Sequence, residues 1–303
     1  MKVDLKKIST ENRNKNTMNI DMLDTLSVVT LLNKEDQTVP IAVSKAVAQI
    51  ASLVDEVVKA LSEGGRLIYM GAGTSGRIGI LDAVECRPTY SVPDDIIMCL
   101  MAGGMQAMTK AVEGAEDSVE LAKEDLIKIG VNKKDVIVGI TASGRTPYAL
   151  GGVEYAKTLG CKTGGITTCE NSEIAKAVDY PIEAITGAEP VTGSTRMKSG
   201  TAQKLVCNMI TTAAMIKMGK VYENLMIDMQ PTNHKLEARA IRIVKDITGS
   251  DEKDIKVALD KFKSVKSTCF ALMTGIDSIE EVDSFLNANK GHLRNAINAA
   301  IKG

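Results

Sequence analysis

The sequence predicts an α/β fold in which helices sandwich a parallel sheet, followed by a small all-helical domain. Three observations carry this expectation. Short apolar runs alternate with helical patterns between residues 66 and 185, the rhythm of strand–helix–strand units that cover both faces of a parallel sheet. Two of the runs end in glycine-, serine- and threonine-rich loops that open onto helices. After about residue 240 only helical patterns punctuated by glycine remain.

The elements follow in order. The first forty residues are polar around STENRNKNTMNIDMLDT, yet Ile20, Met22, Leu23, Leu26, Val28, Leu31 and Leu32 make an apolar helical stretch that should dock. Residues 1–40 therefore read as an N-terminal helical arm. Residues 41–61, IAVSKAVAQIASLVDEVVKAL, are a largely buried helix stopped by Glu63-Gly64-Gly65. RLIYM (66–70) is a buried strand that runs into GAGTSG, and IGILDAV (78–84) is the helix leaving that loop. IIMCLMA (96–102) is a second strand, Gln106–Ile129 a charged amphipathic helix and DVIVGITA (135–142) a third strand. SGRTPYALGGVEYAKTLG is a loop and then a helix. KTGGITTC (162–169) and YPIEAI (180–185) are weaker strands, and Arg196–Met218 is a long helix with a Thr/Ser/Gly-rich entrance. The main domain is thus expected over 41–238 and the helical domain over 239–303.

Composition excludes several classes of function. A net charge of −1 supplies no positive field for nucleic acid, and an aromatic content of 3% without Trp leaves no stacking platform. No run of 18 apolar residues marks a membrane span. The six cysteines, Cys86, Cys99, Cys161, Cys169, Cys207 and Cys269, form no C-x-x-C and read as free thiols in a reducing cytoplasm. His234 and His292 stand far apart, unaccompanied by Cys or paired acids at ligand spacing, so a His-based metal site is not expected.

MGAGTSGRIGI, residues 70–80, fits G-x-G-x-x-G through Gly71, Gly73 and Gly76. A dinucleotide site also needs an acid at the end of the second strand, and that strand ends LMAGGMQ. Asp94 and Asp95 precede it, at the wrong end. The G-K-[ST] ending of a nucleotide triphosphate loop is missing too. What remains is a set of backbone N–H groups and hydroxyls at a helix N-terminus, which suits an anion. TASGRTPY repeats the arrangement with Ser143, Gly144 and Thr146, and Pro147 stands at a good first helical position. Two such loops above one sheet suit a small phosphorylated polyhydroxy ligand. Either loop alone serves equally as a helix cap.

Carboxylates lie in two segments that can approach the same sheet end: Asp82 and Glu85 on or just beyond the helix leaving the first loop, and Glu113, Glu116 and Asp117 in AVEGAEDS after the second strand. Two of them converging on a sugar could divide the taking and giving of a proton. By pattern alone, each is also an ordinary solvated helix residue.

GRLIYMGAGTSGRIGILDAVECRPTY resembles the signature of the N-acetylmuramic acid 6-phosphate etherases. TENRNKNTMNIDMLDT, AVEGAEDS, TASGRTPYALGG and EPVTGSTRMKSGTAQKLVCNMITTAAMIKMGKVYENLMIDMQPTNHKLEARA resemble segments of the same family, in the same order. The resemblance implies a sugar isomerase (SIS) fold of three layers with a helical C-terminal domain. It implies a cytoplasmic homodimer that turns N-acetylmuramic acid 6-phosphate and water into N-acetylglucosamine 6-phosphate and D-lactate, without cofactor or metal. By the same resemblance Glu85 in DAVECRPT matches the proton donor and Glu116 matches the second catalytic carboxylate, the base; Glu113 and Asp117 stay solvated. Phosphate is expected on Ser143, Gly144, Arg145 and Thr146. Thr74 and Ser75 face the sugar, and the glycines of their loop, Gly76 included, let it approach the backbone. Ser194, Thr195 and Lys198 of GSTRMKSG, with Glu189, form a further rim. Arg87 departs from the family, which more often carries Pro there. It should point outward, because an inward guanidinium would lower the pKa of Glu85 and oppose an acid role.

Two other readings use the same fold. One is a non-catalytic phosphosugar-binding regulator of a sugar kinase, which could dispense with the carboxylate pair. The other is an aldose–ketose phosphosugar isomerase, which would abstract the carbon-2 proton without eliminating lactate.

Overall fold

The computed structural model describes residues 9–110, 112–229 and 234–302; residues 1–8 of the expected arm lie outside them. The chain forms two compact units. One holds the residues up to Val84 together with Asp94–Thr211, the other Glu85–Pro93 together with the residues from Thr212 onward.

The first unit is built on five parallel strands, β1 (Leu67–Gly71), β2 (Ile97–Met101), β3 (Val136–Ile140), β4 (Lys162–Thr167) and β5 (Tyr180–Glu183), in the order β2-β1-β3-β4-β5. β1 pairs Leu67 with Ile97 on one side and with Val136 on the other. β1 and β3 are buried along their whole length, as expected of central strands covered on both faces. Ile68, Met70 and Ile137 pack under helices α5 (Val119–Lys128) and α6 (Pro147–Thr158), with Ala122, Leu126, Ala149 and Val153. The opposite face carries α3 (Val47–Ser62), whose Leu53 packs over Gly164, within 3.0 Å of where a Cβ there would stand. On that face Tyr69 also meets α4 (Gly73–Tyr90), donating a hydrogen bond to the buried Asp82 at 3.3 Å. These are three layers, helix on sheet on helix.

Several expected elements differ, each for a local reason. The 41–61 helix is two, α2 (Thr38–Ser44) and α3, parted at Lys45-Ala46, and α1 (Thr25–Asp36) precedes them with Asp24 capping Ser27 N–H. α4 begins at Gly73 rather than at residue 78, because the glycine turn itself is already helical. The helix expected over 106–129 shrinks to α5: two short 3-10 turns precede it, Gly104 and Gly114 take positive φ, and Ser118 caps the true start through Leu121 N–H. A short α7 (Glu173–Ala177), capped by Ser172, separates β4 from β5.

The last of the long helices, α8 (Lys198–Lys217), leads to a two-stranded hairpin, β6 (Val221–Tyr222) and β7 (Leu225–Met226), that the sequence pattern did not reveal. The second unit then adds α9 (His234–Thr248), α10 (Glu252–Phe262), α11 (Val265–Thr274), α12 (Ile279–Ala288) and α13 (Leu293–Lys302). They share one core of Val244, Ile255, Phe270, Val282, Leu286 and Ile297, with the Phe270 and Phe285 rings 5.6 Å apart. Among the described residues no helix is long and apolar enough to cross a membrane.

Candidate active site

A cleft of about 490 Å³ opens at the carboxyl ends of β1 and β3, where ligands sit in open parallel sheets. The β1–α4 turn supplies Gly73, Thr74 and Ser75 to it, and the β3–α6 turn supplies Ser143, Arg145 and Thr146. Thr195 closes it from the segment before α8, Glu116 and Asp117 from the turn before α5, and Glu11 from the N-terminal arm. A smaller hollow of about 260 Å³ adjoins Gly73 and Glu116 and is lined by Arg77 and Glu113. Arg77 is committed there to the protein, donating to the carbonyls of Ala107 and Met108 at 2.7 and 3.0 Å.

The β3–α6 turn presents a helix start to the cleft. α6 starts at Pro147, so its free N–H groups and its dipole face the cleft. Thr146 hydroxyl bonds Thr141 hydroxyl at 2.7 Å, which fixes its rotamer. Gly144 takes φ of 73°, and a Cβ there would lie 2.2 Å from Ser172 Cβ, so only glycine fits the turn. Arg145 is the single basic side chain among those lining this cleft. Three carboxylates, Glu11, Glu116 and Asp117, face it from other sides. They would repel a phosphate dianion, whereas the α6 N-terminus and Arg145 would attract one.

Of the sequence-predicted residues, Thr74, Ser75, Glu116, Ser143, Arg145, Thr146 and Thr195 line the cleft. Gly144 is buried behind it, shaping the turn. Gly76 does not reach it: a Cβ there would stand 2.8 Å from Gly71 O, so this glycine seats α4 against β1. Ser194 is half-buried outside the lining. Glu189 is fully buried, and its carboxylate accepts from Lys198 N–H, Ser199 N–H and Ser199 hydroxyl at 2.8, 2.9 and 2.7 Å. It caps α8 and has no face left for a substrate. Lys198 is buried too and donates to Glu35 Oε2 at 2.9 Å. Both shape the rim from behind. Asp117, read as solvated, lines the cleft.

Glu85 is exposed on α4, twelve residues past Gly73 in the chain, and belongs to the second unit. It does not line the cleft. Arg87 is exposed.

Two residues of the site escaped sequence reasoning. Gln203 of α8, 1% exposed, accepts from Ser75 hydroxyl at 3.0 Å, so Ser75 turns its lone pairs to the cleft. Glu11 lies in the quoted TENRN, but nothing in its spacing says which loop it will meet. Below the site Asp82 is held by Asn208, Thr211 and Tyr69. Burial pushes its carboxyl above the usual range, only partly offset by those hydrogen bonds.

Comparison with known proteins places this geometry. The glucokinase regulatory protein N-terminal SIS domain matches residues 49–157, and the SIS domain matches residues 106–213. An N-acetylmuramic acid 6-phosphate etherase of Clostridioides difficile is 51% identical over 98% of this chain and 98% of its own. One of Geobacillus sp. is 49% identical over 97% and 99%. Among solved structures, a proposed phosphosugar isomerase involved in capsule formation from Bacteroides fragilis shares the fold at 21% identity. Its TM-score is 0.51, over 66% of this chain and 93% of that one.

Proposed function

The chain belongs to the N-acetylmuramic acid 6-phosphate etherase family, and we propose that Glu116 and Glu85 carry its two proton transfers, with phosphate held at the β3–α6 turn. The reaction removes the D-lactyl ether of N-acetylmuramic acid 6-phosphate, giving N-acetylglucosamine 6-phosphate and D-lactate, a step of cell-wall sugar recycling. The observation that supports these roles is the cleft itself, in which Ser143, Arg145 and Thr146 of the β3–α6 turn share one lining with Glu116.

An ether is a poor leaving group for direct attack by water. In the ring-opened sugar the aldehyde acidifies the hydrogen on carbon 2. Glu116 takes that proton; the electron pair forms the carbon 2–carbon 3 double bond as the carbon 3–oxygen bond breaks. Glu85 gives a proton to the departing lactate oxygen. Water then adds at carbon 3 of the unsaturated aldehyde, carbon 2 is reprotonated, and both carboxyls return to their starting states.

Glu85 acts, in this reading, on the cleft of a second copy in a homodimer. It stands exposed directly after Val84 and one helical turn after Leu81, which are 64% and 54% exposed on the same stretch of α4, and apolar side chains left open on a helix mark a surface that another chain covers. A two-fold dimer would bring α4 of each copy to the other. Six free cysteines support a reducing, cytoplasmic setting. The kinase-regulator and isomerase readings are not favoured, since the near-full-length relatives are etherases.

The test is release of D-lactate from N-acetylmuramic acid 6-phosphate by purified protein in heavy-oxygen water. Lactate with the label at carbon 3 of the sugar product is expected. Label in the lactate instead would refute elimination, and no lactate from folded protein would refute the activity.

A further inference from the structure

We propose that Glu11 is a substrate-binding residue whose carboxylate accepts a hydrogen bond from a hydroxyl or amide group of the bound sugar phosphate. The proposal rests on the cleft being the sugar-phosphate site, as set out above.

The first observation is position. Glu11 lines the cleft that holds Ser143, Arg145 and Glu116, although it lies more than a hundred residues from each of them in the chain. It stands on the side of the 193–195 segment: a Cβ on Gly193 would come within 3.3 Å of its Oε2. The phosphate position proposed above is on the α6 side.

The second is how the arm is held. Thr10 O accepts from Gly193 N–H at 3.3 Å, and Ser9 hydroxyl meets Cys169 Sγ at 3.2 Å. Asn14 donates to Ala188 O at 3.3 Å and to Glu35 Oε2 at 2.8 Å, and Thr17 hydroxyl donates to Pro190 O at 2.7 Å. Thr10, Asn14 and Thr17 are buried. These bonds are directional, so they set the register of the arm, and the residue between Thr10 and Asn14 that they bring to the cleft is Glu11. Among the described residues no hydrogen bond or ion pair spends its carboxylate on the protein.

The third is charge. An ionised carboxylate only accepts hydrogen bonds. The phosphate and the lactyl carboxylate of the substrate are acceptors themselves and are repelled by it. The donors left on the ligand are hydroxyls and the acetamido N–H. A carboxylate already fixed by the arm loses little freedom on taking one of them.

Titration calorimetry of wild type, E11Q and E11A with N-acetylglucosamine 6-phosphate, glucose 6-phosphate and inorganic phosphate tests this. A hydrogen bond to a charged group sets the scale at about tenfold or more in Kd. E11A should weaken N-acetylglucosamine 6-phosphate by that factor and leave inorganic phosphate unchanged or slightly tighter, with E11Q intermediate. Glucose 6-phosphate weakened equally identifies a hydroxyl as the donor; glucose 6-phosphate unaffected identifies the amide. Unchanged affinity for both sugars in E11A overturns the proposal, and so does equal weakening of sugar phosphate and inorganic phosphate, which would mean that the arm merely supports the fold. Wild type that binds neither phosphate nor sugar phosphate overturns the site assignment itself.

Discussion

The β1–α4 and β3–α6 turns carry similar residues at the same end of one sheet, and they use their glycines differently. In the first, Gly71 and Gly76 face each other: a Cβ on Gly71 would lie 2.9 Å from Gly76 N, and one on Gly76 would lie 2.8 Å from Gly71 O. They serve close packing of helix on strand, and Thr74 and Ser75 meet the cleft. In the second, Gly144 bends the chain at φ of 73° so that Ser143, Arg145 and Thr146 converge in front of a helix N-terminus. A glycine motif shared with dinucleotide folds is therefore a packing signature here, and the groups that line the cleft are the hydroxyls of this turn and the residues of the other.

The largest expected effects separate these two uses. Gly144→Ala combines a strained φ with a Cβ only 2.2 Å from Ser172 Cβ, so phosphate affinity should fall by about a hundredfold or more together with Tm. Gly76→Ala should cost about 1–3 kcal/mol of stability as an overpacked contact, yet its folded fraction should bind inorganic phosphate as wild type does. Loss of phosphate binding in Gly76→Ala at unchanged Tm would break the comparison.

Glu35→Gln probes the polar groups behind the rim. It leaves Lys198 buried without its partner, at a cost of about 3–5 kcal/mol, measurable by urea unfolding at pH 7. Burial pushes the Glu35 carboxyl up, but hydrogen bonds from Asn16, Lys198 and Asn14 and the Lys198 charge outweigh it, and the net result is below the usual 4.5. A group lowered on folding stabilises above its unfolded value. The advantage of wild type over Glu35→Gln should therefore be complete above about pH 4.5 and disappear as pH falls through the lower folded value.

Much of this was legible in the sequence. The strands announced themselves as apolar runs, because central parallel strands are buried on both faces. Ser143–Thr146 and Thr74–Ser75 stood out because serine and threonine beside glycine before a helix either cap it or meet a ligand, and Thr74, Ser75, Ser143, Arg145 and Thr146 do line the cleft. The 106–129 helix misled: its period is right from Val119 onward, but Gly104 and Gly114 at positive φ break what precedes. Glu189 and Lys198 read as ligand groups, since a buried cap and a buried ion pair use the same residue types as a binding site. Gln203 and Glu11 reach the cleft through contacts of long sequence separation, which no local pattern encodes.

Smaller effects sharpen the division of labour. Ser143→Ala and Thr146→Ala should each weaken inorganic phosphate by about tenfold, the loss of one hydrogen bond to a charged group, whereas Thr74→Ala should weaken sugar phosphate and spare phosphate. Gln203→Leu frees Ser75 to rotate and should raise KM only a few-fold. Its stability should change by about 1 kcal/mol, since Gln203 Nε2 has no partner to lose among the described residues.

The division between Glu116 in the cleft and Glu85 on the exposed face of α4 has the most direct test. Glu85→Gln and Glu116→Gln are purified separately, shown to release no D-lactate, then mixed in equal amounts and allowed to exchange subunits. If each cleft takes its second carboxylate from the other copy, half the dimers are mixed and each holds one intact site, so roughly a quarter of wild-type activity returns. A mixture that stays inactive after exchange, or a Glu85→Gln protein that is active alone, would contradict it.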